Sequence, residues 1–211
     1  MFFNANLNCY FAAVNHFNFK LEKERKLQII KAAAKRFDKH GVNKTTLNEI
    51  ARDLRIGKAT IYGYFNSKEE LFFSVLEWEG SQFLEEAQNI FNKEELQLRD
   101  RFLQYFDSKE NISQRYKLMI DSFIKVLDEK GFDGELLFIK NLLTKEEELI
   151  KSVLSKANTN KNTSLEPSLP IFLALKSWGL YFGFKLHSLS TPENNIDLKK
   201  NLLKEIDNLL L

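Results

Sequence analysis

Two copies of one helix-start signature frame the most constrained stretch of this 211-residue chain. The first is Thr46-Leu47-Asn48-Glu49 and the second is Ser67-Lys68-Glu69-Glu70. In each, a hydroxyl can accept the amide three residues on, while the carboxylate there reaches back, satisfying two amides that a helix start leaves unpaired. Leu47 to about Leu54 and Lys58 to Phe65 therefore read as two short helices, with Arg55, Ile56 and Gly57 as the turn. Before them, Ile29, Ala33 and Phe37, with Ile30 and Ala34, form one apolar stripe on a predicted helix over 21–40. Gly41 stops that helix, because glycine adopts the left-handed conformation after a helix end without a Cβ penalty. Ala51 allows the short helices to cross closely, and Ile50, Leu54, Ile56, Ile61 and Phe65 are placed to close a small core. Three helices in this order are a helix-turn-helix, whose second short helix enters the major groove.

Charge is distributed to match. Residues 20–68 hold 13 Lys and Arg against five acids, a net +8, whereas residues 1–19 hold none and residues 69–211 carry 18 basic against 24 acidic side chains, a net −6. A basic head on an acidic body suits a partner made of phosphates.

The run IIKAAAKRFDKHGVNKTTLNEIARDLRIGKATIYGYFNSKEELF, residues 29–72, resembles the amino-terminal pattern of the TetR/AcrR transcriptional regulators. The resemblance implies an all-α fold, with a helix-turn-helix DNA-binding domain at 20–67 and a helical effector-binding and dimerisation domain at 68–211. It also implies that Lys58, Ala59, Thr60 and Tyr62 approach bases and phosphates, with Ala59 able to meet a thymine methyl. Thr45, Thr46, Tyr64 and Lys68 would hold phosphates, and Lys68 sits where a helix start offers free amides to the same group. Packing of Tyr62 under the first helix, and simple capping by Thr46, are the alternatives. Three positions depart from the family's pattern: Leu54-Arg55 replaces Ala-Gly in the turn, Gly57 replaces Ser or Thr, and Tyr64 replaces a common His. If Arg55 takes positive φ, the strain is of order 1 kcal/mol.

Beyond the head the chain reads as helices over 67–91, 94–106, 112–130, 134–157, 169–189 and 196–210, with the polar stretch 158–168 as a loop. The helix from Leu169 is apolar almost all round, so a second chain is expected to cover one face, unless the helix is wholly internal in a monomer. Gly179 and Gly183 would let another helix approach. The family dimerises through its last two helices, which implies an interface of Leu175, Gly179, Phe182, Gly183, Leu186, Leu202, Ile206 and Leu209, and a palindromic operator. A lipophilic effector pocket in the body, as the family has, would draw on Phe83, Phe102, Phe106, Tyr116, Phe123, Phe138, Trp178, Tyr181 and Phe182. Plain core packing is the alternative for each. The resemblance thus implies a homodimeric repressor released by a small hydrophobic effector, or else a DNA-binding protein controlled by a protein partner.

An enzyme is disfavoured. No Glu lies three residues before His16, His40 or His187, so no di-iron motif is present. Cys9 has no base beside it, no phosphate-binding glycine loop occurs, and Glu146-Glu147-Glu148 reads as a solvated helix face. No metal or cofactor is expected. The single cysteine allows no intrachain disulfide and fits a reducing cytosol. The uncharged start, MFFNANLNCYFAAVNHFNF, has no basic residue before its apolar part and is a poor secretory signal. It reads as an apolar extension that packs on the body or a partner, or as a start placed too far upstream.

Overall fold

The computed structural model describes residues 3–157, 166–187 and 204. Among them every regular element is helical. The helices are α1 (Phe3–His40), α2 (Leu47–Asp53), α3 (Lys58–Tyr64), α4 (Lys68–Phe91), α5 (Leu98–Asp107), α6 (Ile112–Arg115), α7 (Lys117–Leu127), α8 (Asp133–Ala157) and α9 (Leu169–His187). The expected helix at 196–210 and the loop segment 158–165 lie outside the described residues.

Two compact units divide the chain, Met1–Trp78 and Glu79–Leu211. The division falls inside α4 and not at its start, because Leu71, Phe72, Val75 and Leu76 are buried with the head residues Ile29, Phe37, Ile50, Ile61 and Phe65. The stripe of α1 is buried as its spacing predicts, with Ile29, Ala33 and Phe37 at 0–1% exposure. Phe37 meets Phe72 edge to face, ring centroids 6.2 Å apart. Leu54 and Ile56 are only half-buried, so Ile50, Ala51 and Ile61 close the contact between the short helices.

Several boundaries differ from the periodicity. α1 begins at Phe3 rather than near Leu21, for neither Gly nor Pro interrupts the stretch between them. α5 starts at Leu98 and not at Glu94. Arg101 fixes that start, donating to Leu96 O at 2.9 Å and to Phe91 O at 3.2 Å, where the end of α4 leaves carbonyls unpaired. The expected helix at 112–130 is two, broken at Tyr116 (φ −132°, ψ 59°). Tyr116 donates its hydroxyl to Glu86 at 2.6 Å. The buried Glu79 accepts from the Met119 amide at 2.8 Å, capping the start of α7. After α7, Glu129 takes positive φ (58°), and Gly131 is required for approach instead, since a Cβ there would lie 2.6 Å from Val126 Cγ2.

The body unit has one aromatic core. Phe83, Phe102, Phe106, Tyr116, Phe123, Trp178 and Tyr181 are buried in it, with Phe138 and Phe182 packed against it. Phe123 stacks on Trp178, centroids 4.5 Å apart.

Candidate DNA-binding interface

The head positions its outer side chains through caps, each traceable to the sequence. Gly41 takes φ 81° and donates its amide to Phe37 O at 2.8 Å, ending α1. Thr46 then caps α2: its hydroxyl accepts from the Glu49 amide at 3.3 Å, and Glu49 Oε2 accepts from the Thr46 amide at 2.9 Å. That backbone bond from Thr46, followed by the hydroxyl bond, holds the Glu49 carboxyl below the usual range. Arg36 of α1 spans the crossing, 3.0 Å from Glu49 and 2.7 Å from Asp53, and its bond to Asp53 raises its already high pKa.

The second signature works slightly differently from the first. Ser67 accepts from the Glu70 amide at 3.0 Å, but Glu70 reaches one residue farther back, accepting from the Asn66 amide at 2.8 Å.

The turn joins α2 to α3 by donation from Arg55 N to Arg52 O and from Ile56 N to Ala51 O, both at 3.0 Å. Arg55 has φ 54°, the left-handed conformation that its side chain disfavours. Gly57 caps α3 with no side-chain bond. Beyond it Ile61 and Phe65 are fully buried, which turns Lys58, Ala59, Thr60, Tyr62 and Gly63 outward. Tyr62 is 44% exposed, with Lys58 Nζ 5.6 Å from its ring centroid, and so does not pack under α1. Lys44, Arg52 and Arg55 are exposed as well, an outer face free of acids on α3 itself.

The expected phosphate-holding residues fare unevenly. Thr45 is fully buried and donates its hydroxyl to Gly41 O at 2.9 Å, so it offers no side chain to a phosphate and instead secures the turn after α1. Thr46 is exposed, but its hydroxyl both donates to Glu49 and accepts from it, so capping engages it. Lys68 Nζ donates to Val42 O at 2.9 Å and Asn43 O at 3.4 Å, tying the start of α4 to that same turn. Tyr64 is half-buried and lines an open depression of about 430 Å³ with Leu21, Glu22, Glu24, Arg25 and Gln28.

In the body, α9 carries its apolar surplus on one side. Leu175 and Phe172 are 51% and 46% exposed, and a Cβ at Gly179 or Gly183 would meet nothing within 4 Å among the described residues. Leu186, Leu202, Ile206 and Leu209 lie outside the residues whose side chains are described.

Sequence reasoning missed one constellation. Glu146, expected on a solvated face, is fully buried, as is Lys109, with Nζ 2.6 Å from Glu146 Oε1. Periodicity could have placed Glu146, because Ile139, Leu142, Ile150 and Val153 bracket it on the buried stripe of α8. Tyr105 donates to the same carboxylate. Burial and then Glu146 push its phenol well above its usual pKa. Among the described residues no three His, Cys, Asp or Glu side chains could hold a metal ion, and no helix is long and apolar enough to cross a membrane.

Comparison with known proteins follows the same division. Residues 29–75 match the family model of bacterial regulatory proteins, tetR family. The HTH-type transcriptional regulator HbdR of Aromatoleum sp. (strain CIB) is 42% identical over 57 residues, 27% of this chain and 25% of that protein. The uncharacterized HTH-type regulator YhgD of Bacillus subtilis is 42% identical over 67 residues, 30% of this chain and 35% of its own length. The chain thus matches about a quarter to a third of these relatives. Likeness in fold extends further: a transcriptional regulator of Cytophaga hutchinsonii superposes with a TM-score of 0.61 at 26% identity, over 90% of this chain and 96% of the other. By the sequence of its head, residues 29–75, this chain matches the tetR family of bacterial regulatory proteins, and along the rest of its length it shares the all-helical fold of its solved neighbour.

Proposed function

We infer that the chain is a DNA-binding transcriptional regulator, a homodimeric repressor that reads a palindromic operator and leaves it when a small lipophilic effector enters the body. The observation that carries the DNA reading is the outer face of α3, where Lys58, Ala59, Thr60 and Tyr62 stand exposed over a buried Ile61 and Phe65. Thr60 and Tyr62 discriminate bases, Ala59 meets a thymine methyl, and Lys58 with the exposed Lys44, Arg52 and Arg55 supplies the salt-dependent attraction to phosphates. Tyr64 and Thr46 flank that face, and Lys68 acts by bracing the turn before α2.

Two-fold symmetry places two such faces on one side of a duplex, which is why a palindrome is expected. The exposed Phe172, Leu175 and Gly179 of α9 support pairing with a second copy. Aromatic density in the body supports a lipophilic effector, which acts only if it binds the released arrangement more tightly than the DNA-bound one.

The test is selection of operator fragments by the purified protein, followed by affinity measurements with Thr60→Ala/Tyr62→Ala. Loss of specific binding by about a hundredfold is expected, at roughly 1–3 kcal/mol per lost base contact, with an unchanged dimer mass. Retained sequence preference in the double variant would remove α3 as the reading head.

A further inference from the structure

At the centre of the aromatic core lies an ammonium ion that belongs to the protein itself. Lys109 Nζ is 3.9 Å from the Trp178 ring centroid, 4.8 Å from Tyr105 and 5.1 Å from Phe83. Its three protons face three acceptors: Glu146 Oε1 at 2.6 Å, Ser177 Oγ at 2.5 Å and Tyr105 Oη at 3.2 Å. The other carboxylate oxygen, Glu146 Oε2, accepts from Trp178 Nε1 at 2.7 Å, which fixes the plane of the carboxylate. Ring faces and one oriented carboxylate around a cation are the chemistry by which proteins recognise charged amines.

Cage and occupant are mounted differently. Phe83 stands on α4, Tyr105 on α5, Glu146 on α8, and Ser177 and Trp178 on α9, whereas Lys109 lies in the turn between α5 and α6. Its neighbours Glu110 and Asn111 are exposed, so the turn that carries Lys109 borders on water. Burial lowers the Lys109 pKa to about 8 in spite of Glu146, so the departing ammonium recovers hydration that the cage withholds.

We propose that this cage is a binding site for a primary alkyl- or arylalkylammonium ion, which takes the place of Lys109 against Glu146, Tyr105 and Ser177 and turns the α5–α6 link outward. The proposal rests on the reading of the body as effector-binding, and it names the effector's charged group. One ammonium replaces another, so Glu146 is never left as a buried unpaired charge. A quaternary ammonium lacks the protons that the three acceptors require. A neutral lipophile gives the carboxylate nothing. The ligand's apolar part would lie against Phe123, stacked on Trp178, and against Phe182 beyond it.

Calorimetric titration of the full-length protein with n-hexylammonium tests this directly, with n-hexanol and tetramethylammonium as comparison ligands. Saturable binding of the primary amine alone is expected, weakened at least tenfold by Glu146→Gln; absence of saturable amine binding to the wild-type protein overturns the site. Lys109→Ala empties the cage, and n-butylammonium should raise its unfolding midpoint by several degrees where n-butanol and sodium chloride do not. Equal responses to all three overturn the site too, and if this variant does not fold, the wild-type titration decides alone. Operator binding followed in parallel separates the two readings. Amine binding with unchanged DNA affinity leaves the site standing and removes effector release, whereas release by hexanol without amine binding does the reverse.

Discussion

Arg55 sits in left-handed conformation in the turn between the two short helices, at a position where the family's common residue is glycine. The strain was legible in the sequence as a conditional expectation, and the backbone angle makes it a fact of the fold. Relief of roughly 1–2 kcal/mol of left-handed strain, less the roughly 0.5–1 kcal/mol that glycine adds to the freedom of the unfolded chain, predicts that Arg55→Gly stabilises the head by about 0.5–1 kcal/mol. Urea unfolding checks it, and a lowered midpoint would show that the exposed guanidinium contributes more than its backbone costs. Lys109 makes the second residue-scale prediction. Its folded pKa of about 8 lies below the ordinary 10.5, so above pH 8 the unfolded chain binds more protons and stability must rise with pH. The rise should amount to about 2 kcal/mol between pH 7 and 9.5. Above about pH 10 Tyr105, whose pKa is raised, works in the opposite direction. Urea unfolding across that window measures the rise, which should be missing from the apolar double variant Lys109→Met/Glu146→Leu.

Among the elements, the turn after α1 bears more than its sequence suggests. Three separate groups converge on its backbone: Gly41 through its φ, Thr45 through its hydroxyl, and Lys68 through an ammonium from α4. The family resemblance implied phosphate contacts for Thr45 and Lys68, and a hydroxyl and an ammonium beside a helix start are chemically able to make them. Only the approach of α4 to the 41–43 carbonyls shows which use they have in the free protein. Lys68→Ala should therefore lower head stability by about 1.5 kcal/mol, the contribution of a charge-assisted hydrogen bond, as measured by thermal unfolding without DNA. No change in stability would return Lys68 to the phosphate set. The helix starts were more legible. A capping box needs only residues within one turn: the first forms where the sequence puts it, and of the second only the Ser67 hydroxyl half forms, Glu70 accepting from Asn66 instead.

For the whole molecule, the division of labour lies between a basic head and a body whose last described helix exposes Phe172 and Leu175 beside Gly179. Because no atom of the described residues lies within 4 Å of a Cβ at Gly179, Gly179→Leu begins in open space beside them and improves helix propensity by somewhat under 1 kcal/mol. If α9 pairs with a second copy, the same change obstructs the approach. Light scattering should then report a shift from dimer toward monomer, together with weaker operator binding. An unchanged dimer would move the interface elsewhere.

What the sequence determined by itself is what short-range chemistry dictates. Caps, the stop at Gly41, the stripe of Ile29, Ala33 and Phe37, and the helix-turn-helix order all depend on residues a turn or two apart, and all survive in the fold. Charge segregation was equally plain, since it depends only on counting. Tertiary structure decided everything that depends on which surfaces meet. It carried the division between the units into α4, withdrew Thr45, stood Tyr62 in the open, and split the expected helix at 112–130 around Tyr116. Above all it drew Lys109, Glu146 and Ser177 from three distant segments into one buried cage. No local pattern encodes that meeting, because a buried ion pair is specified by the crossing of helices and not by the neighbours of either charge.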